Sequence, residues 1–140
     1  MRYQKIIFTI AAAALCVSWQ AQAAGVKVIA NPSLSASSIS SGELKDVFLL
    51  DKDSLAGGHV EPVLVRGGAV HEAFLKAYLG KSDSALQAFY RSLVFTGKAS
   101  MPKTLATDAE VVAYVVKTKG AIGYVSDAAS TEGAKTLQVK

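Results

Sequence analysis

Val63-Leu64-Val65-Arg66-Gly67-Gly68-Ala69-Val70 reads as a strand running into an arginine, a double-glycine break and the opening of a helix. Val60 and Pro62 extend the aliphatic run backwards, giving the near-continuous apolar character of a strand buried on both faces. The glycine pair stops it, and Val70, Phe74, Ala77 and Tyr78 then share one helical face. At such a junction the first helical N–H groups point into the crevice at the carboxyl end of the sheet, at the positive end of the helix dipole. Glycines let a ligand approach the backbone, and Arg66 adds a charge-matched fork. Arg66, Gly67, Gly68, Ala69 and Val70 are therefore the candidate oxyanion-binding residues. The plainer alternative is a tight turn beside an ordinary surface arginine.

Working outward, Val26–Ala30 is a β-rich run stopped by Asn31-Pro32, and the serine-rich stretch from Ser33 to Ser41 is a loop. Ser40 with Glu43 makes a capping box ahead of Leu44, Val47 and Phe48. The stretch from Asp51 to Gly58 reads as a loop, and Val60–Val65 is the second strand. Gly80 closes the helix that follows the glycine pair. Ser82 caps another, in which Leu86, Phe89, Tyr90 and Leu93 recur at helical spacing. The segment from Thr96 to Lys103 reads as a loop. Thr107 and Glu110 form a second capping box before Val111, Val112, Val115 and Val116, with Lys117 and Lys119 near the C-terminal dipole and Gly120 as the stop. Ala121–Val125 is a buried strand and Leu137–Val139 another. Strands alternating with helices predict an α/β domain, with a parallel or mixed sheet between helical layers.

The N-terminus has a different character. Arg2 and Lys5 precede an apolar stretch from Ile6 to Val17, and Ala21-Gln22-Ala23 places small residues where a signal peptidase cuts. The apolar stretch falls short of the roughly 20 residues that span a bilayer. Residues 1–23 are thus expected to be a cleaved secretory signal and residues 24–140 a single exported domain. Lipidation at Cys16 fits less well, because bulky Leu15 precedes it. Cys16 is the only cysteine among the 140 residues, so the expected mature domain folds without disulfides or thiolate metal sites. Two of the four excess positive charges, Arg2 and Lys5, lie in the signal, and the remainder form no basic run. Nucleic acid is not an expected partner.

Other motifs fall away. Gly80-Lys81-Ser82 resembles the tail of a phosphate-binding loop, but Leu75 stands where its leading glycine belongs. Gly120-Ala121-Ile122-Gly123 opens a strand rather than a helix. His59 and His71 lack clustered carboxylates for a metal site and read as surface residues. Nothing resembles a nucleophile elbow. No catalytic residue, metal or cofactor is expected, and the protein is read as a non-enzyme.

In this order the pieces resemble the phosphate-binding subunit of bacterial phosphate ABC importers, a type II periplasmic binding protein, in a single-lobe version. The residues that carry the resemblance are Leu44-Lys45-Asp46-Val47-Phe48-Leu49, Arg66 with Gly67-Gly68, Phe95-Thr96-Gly97-Lys98 with Pro102, and above all Asp108–Val116 followed by Gly120-Ala121-Ile122-Gly123-Tyr124-Val125. The resemblance implies a three-layer lobe that binds phosphate or a similar anion in the periplasm. Its expected partners are an ABC permease or another periplasmic protein, and a second copy is one source of the missing lobe. The family holds phosphate with an arginine and a Gly-Ser-Gly-Thr turn. Here the serine position is Gly68 and the threonine position Val70, and Arg66 directly abuts Gly67. Restoring Ser at 68 and Thr at 70 is expected to return two hydroxyls at small cost to folding, unless Gly68 holds φ > 0, where any side chain is strained. The alternative function is a non-catalytic interaction or sensory module on the same fold.

Overall fold

The computed structural model describes residues 25–140, so the expected signal at 1–23 lies outside the described residues. Eight strands are formed: β1 (Val26–Ala30), β2 (Ser38–Ile39), β3 (Ser54–Leu55), β4 (Gly58–His59), β5 (Glu61–Val65), β6 (Lys103–Leu105), β7 (Ala121–Ser126) and β8 (Lys135–Val139). The helices are α1 (Ser41–Phe48), α2 (Gly68–Phe74), α3 (Asp83–Phe95) and α4 (Asp108–Lys117). A π-helical turn, Leu75–Leu79, continues α2 up to Gly80, which adopts the left-handed C-cap conformation.

Six strands make one sheet in the order β2-β8-β1-β7-β5-β6, and β3 with β4 forms a small hairpin. β5 runs parallel to both β6 and β7. β1 is antiparallel to β7 and β8, so the sheet is mixed. The three parallel strands end together at Val65, Leu105 and Ser126, with the start of β1 beside them. There Asp127 N–H donates to the Gly25 carbonyl at 3.1 Å. β2 and nearly all of the hairpin fall in segments read from the sequence as loops, and β6 starts on the last residue of another. These strands have two or three residues, too short for period-two patterning to register.

Alternation along β7 sets the layers. Gly123 lies beneath α4, where an added Cβ would sit 3.0 Å from Val111 Cγ1 and 3.5 Å from Val115 Cγ2. Tyr124 points to the other face and stacks on Phe74 of α2 with ring centroids 3.9 Å apart, with Phe48 of α1 at 5.8 Å. Val63, Ile122, Val111, Val115, Leu44, Val47 and Leu86 are fully buried around these contacts. α3 joins the α1–α2 side through Leu86 and Tyr90, whose hydroxyl donates to the Phe48 carbonyl. The result is helix, sheet, helix, with the ends of β5, β6 and β7 opening at one rim. No helix among the described residues is long and apolar enough to cross a membrane.

Candidate functional site

The Arg66–Val70 turn sits on that rim. Its backbone is one that only glycine adopts readily: Gly67 has φ 66° and ψ −172°, and Gly68 has φ +87°. This conformation turns the chain from the end of β5 into α2, while Arg66 N–H donates to the Leu105 carbonyl at 2.7 Å and anchors the turn to β6. It also decides a condition that the sequence left open, since Gly68 does hold a positive φ. A serine at 68 would place a side chain on a left-handed residue, so restoring the family hydroxyl there strains the turn.

The helices differ in how their first N–H groups are satisfied. Ser40 Oγ accepts from Glu43 N–H at α1, Ser82 Oγ from Ala85 N–H at α3, and Thr107 Oγ1 from Glu110 N–H at α4. α2 begins on Gly67 with no side-chain cap. Its first-turn N–H groups have no intrahelical acceptor. They are the donors that an oxyanion at this turn would use.

The other loops at the rim are closed. Glu110 Oε2 accepts from Ala106 N–H at 3.0 Å, Asp108 Oδ2 from Ser126 N–H at 3.2 Å, and Asp127 Oδ2 from Gly25 N–H at 3.0 Å. Three backbone donors of this rim already hold the chain's own carboxylates in place of an outside anion. Sequence reading missed these contacts, and two of them join residues far apart in the chain.

Arg66 and Gly67 line an open hollow of about 270 Å³ together with Val65, Asp83, Gln87 and Thr104. A larger depression, about 500 Å³, lies at the opposite end of β5 between residues 50–53, 59–62 and 98–103. It mixes Lys52, Lys98 and Lys103 with Asp51, Asp53 and Glu61, and it faces the amino ends of β5 and β6. Open α/β sheets bind ligands at the carboxyl ends, so the smaller hollow is the better candidate.

His71 corrects another expectation. It is 1% exposed rather than on the surface. Its Nε2 lies 2.7 Å from Asp83 Oδ1 and its Nδ1 2.5 Å from the Tyr124 hydroxyl. That hydroxyl accepts from Val65 N–H at 3.2 Å, and burial pushes the Tyr124 phenol well above its ordinary value of 10.0. A carboxylate only accepts, so His71 Nε2 carries the proton and Nδ1 accepts from Tyr124. The chain of bonds runs from the residue before Arg66, through the core, to a carboxylate on the same hollow. His59 is exposed, as expected. Among the described residues no group of three or more His, Cys, Asp or Glu could hold a metal ion.

No protein-family model and no curated protein matches the sequence. Solved structures do match. A phosphate ABC transporter substrate-binding protein with bound phosphate from Clostridium perfringens superposes with a TM-score of 0.64 at 13% identity, over 82% of this chain and 44% of its own. PstS from Borrelia burgdorferi gives 0.65 at 13%, over 83% and 47%. An ABC-type phosphate transport receptor from Vibrio cholerae gives 0.55 at 12%, over 82% and 46%. The chain therefore spans less than half the length of each. What the likeness establishes is the fold: this chain forms a three-layer α/β lobe like one found in these structures.

Proposed function

We propose that the protein is a periplasmic solute-binding module for phosphate or a similar oxyanion, with the anion seated on Arg66, Gly67, Gly68, Ala69 and Val70. The observation that carries this reading is the uncapped start of α2. It is the one helix start among those described whose donors no side chain satisfies, and it lies next to an exposed guanidinium. The fold it shares with phosphate-binding proteins supports the same reading. Export would follow from the signal expected at residues 1–23. Closure around the ligand would need a second lobe, as a second copy or another protein would provide, and the expected partner is an ABC permease or another periplasmic protein.

One guanidinium and a few backbone donors on an open shelf bind weakly, and solution ions screen them. Isothermal titration of the protein with inorganic phosphate and sulfate tests this. The affinity should fall as salt rises, and Arg66→Ala should lower it about tenfold or more while the circular dichroism spectrum stays unchanged. Unchanged affinity in the variant would place the anion elsewhere.

A second reading, a non-catalytic interaction module, draws support from the closed loops around the site. Glu110, Asp108 and Asp127 occupy neighbouring backbone donors and give the rim a carboxylate-rich character. Absence of any phosphate or sulfate binding would favour it.

A further inference from the structure

His71 is a buried imidazole whose two nitrogens are both committed: one to Tyr124 and one to Asp83. An acidic residue in the first turn of α3 has a simple explanation, since it complements the helix dipole. That explanation does not account for a buried histidine bonded to it. Burying a polar ring is costly unless both nitrogens are satisfied, and here the ring links Asp83 to the strand end that carries Arg66. Val65 N–H donates to Tyr124, the Tyr124 hydroxyl donates to His71, and His71 Nε2–H donates to Asp83 Oδ1. Both sides of the hollow are thereby fixed to one rigid chain of bonds.

The half of Asp83 that faces solvent is uncommitted. Its side chain is 54% exposed, and Oδ2 has no hydrogen-bond partner among the described residues. Arg66 lines the same hollow. Opposite charges lining one hollow ordinarily pair, yet among the described residues Arg66 makes no ion pair; the pair between charged side chains is Lys52–Glu43, while His71 meets Asp83 by a hydrogen bond. An exposed cation and a positioned anion thus share a small hollow without neutralising each other.

We propose that Asp83 is a second binding arm, positioned by His71 and Tyr124, and that the site takes a small phosphate-type anion that also carries an ammonium group. This inference rests on the oxyanion reading of Arg66. In it the phosphoryl oxygens meet the Arg66 guanidinium, and the ammonium meets Asp83 Oδ2. A hollow of about 270 Å³ has room for a phosphoryl group carrying a two-carbon ammonium arm. A bare phosphate, by contrast, leaves the Asp83 carboxylate facing a like charge.

The test is titration of the protein with O-phosphoethanolamine and with ethyl phosphate, which matches it in size but lacks the ammonium. Phosphoethanolamine should bind about tenfold more tightly. Asp83→Asn should remove that preference and bind ethyl phosphate at least as well as the parent protein. Equal affinities in the parent protein overturn the inference and leave the oxyanion reading intact, provided Arg66→Ala abolishes the binding of both. A preference that survives Asp83→Asn overturns it as well. If neither compound binds, the oxyanion reading fails with it. The parent-protein comparison needs no variant, so a folding defect in Asp83→Asn does not blunt it.

Discussion

The β5–α2 and β6–α4 junctions are built from the same parts and end differently. Both are parallel strands that turn into a helix at the same rim of the sheet. At β6–α4 the side chains of Thr107 and Glu110 take up the loop and helix donors. At β5–α2 two left-handed glycines leave the donors bare and put an arginine in front of them. The contrast teaches that a strand–helix turn becomes a staple or a candidate site according to who accepts from its N–H groups. It also shows where the open junction finds its rigidity: in the buried Tyr124–His71–Asp83 chain rather than in a cap.

The largest expected effect comes from removing that brace. Tyr124→Phe strips Val65 N–H and His71 Nδ1 of their partner at once, which should cost about 2–6 kcal/mol of stability at about 1–3 kcal/mol for each orphaned group. Chemical denaturation at neutral pH measures it. Alkaline pH probes the same hydroxyl. Burial raises the phenols of Tyr90 and Tyr124 above 10.0 in the folded protein, so the unfolded chain releases these protons first. Their contribution is complete below pH 10 and declines above it, by about 1.4 kcal/mol per pH unit for each phenol. The decline should be shallower in Tyr124→Phe, which keeps Tyr90 alone of the two. A Tyr124→Phe protein as stable as its parent, with the same alkaline slope, would mean that β5–α2 needs no brace.

A smaller loss is expected at the turn itself. Gly67→Ala forces a side chain onto φ 66° and ψ −172°, a region occupied almost solely by glycine, at about 1–3 kcal/mol. No atom lies within 4 Å of the added Cβ, so the penalty is conformational rather than steric. Should the variant match its parent in a thermal melt, the turn would be relaxing out of the glycine conformation.

Least of all should change when the closed junction is opened. Thr107→Ala removes one cap and should cost about 1 kcal/mol, with phosphate affinity unaltered. A gain in affinity there would blur the distinction between the two junctions.

The sequence makes the local half of this architecture legible and hides the other half. Ser40 with Glu43, Ser82 with Ala85 and Thr107 with Glu110 bond as their spacing predicts, because a capping oxygen and its N–H donor lie three residues apart. The core positions of β1, β5 and β7 follow from their apolar runs for similar reasons. His71 reads as a surface residue because its partners stand 53 and 12 positions away, and only the packing of α2 on β7 brings Tyr124 to it. The carboxylates that close the rim escape notice in the same way: Asp127 reaches Gly25 across 102 positions and Asp108 reaches Ser126 across 18. The candidate turn itself is visible in Arg66-Gly67-Gly68. Its uncapped state could be inferred from glycine at the cap position, but the exclusion of neighbouring donors could not.

The place of β1 in the sheet bears on how the chain comes to be folded at all. Val26 to Ala30 pair on one side with β7, in the register Val26 with Ser126, and on the other with β8, in the register Val28 with Leu137. The first strand to be synthesised is thus hydrogen-bonded between two of the last. Until the ribosome has released nearly the whole polypeptide, β1 has no neighbour, and loop closure over about a hundred residues precedes any reward from the central ladder. Folding should therefore be slow relative to helical proteins of this length, and the central ladder should close only once β7 and β8 have both been made.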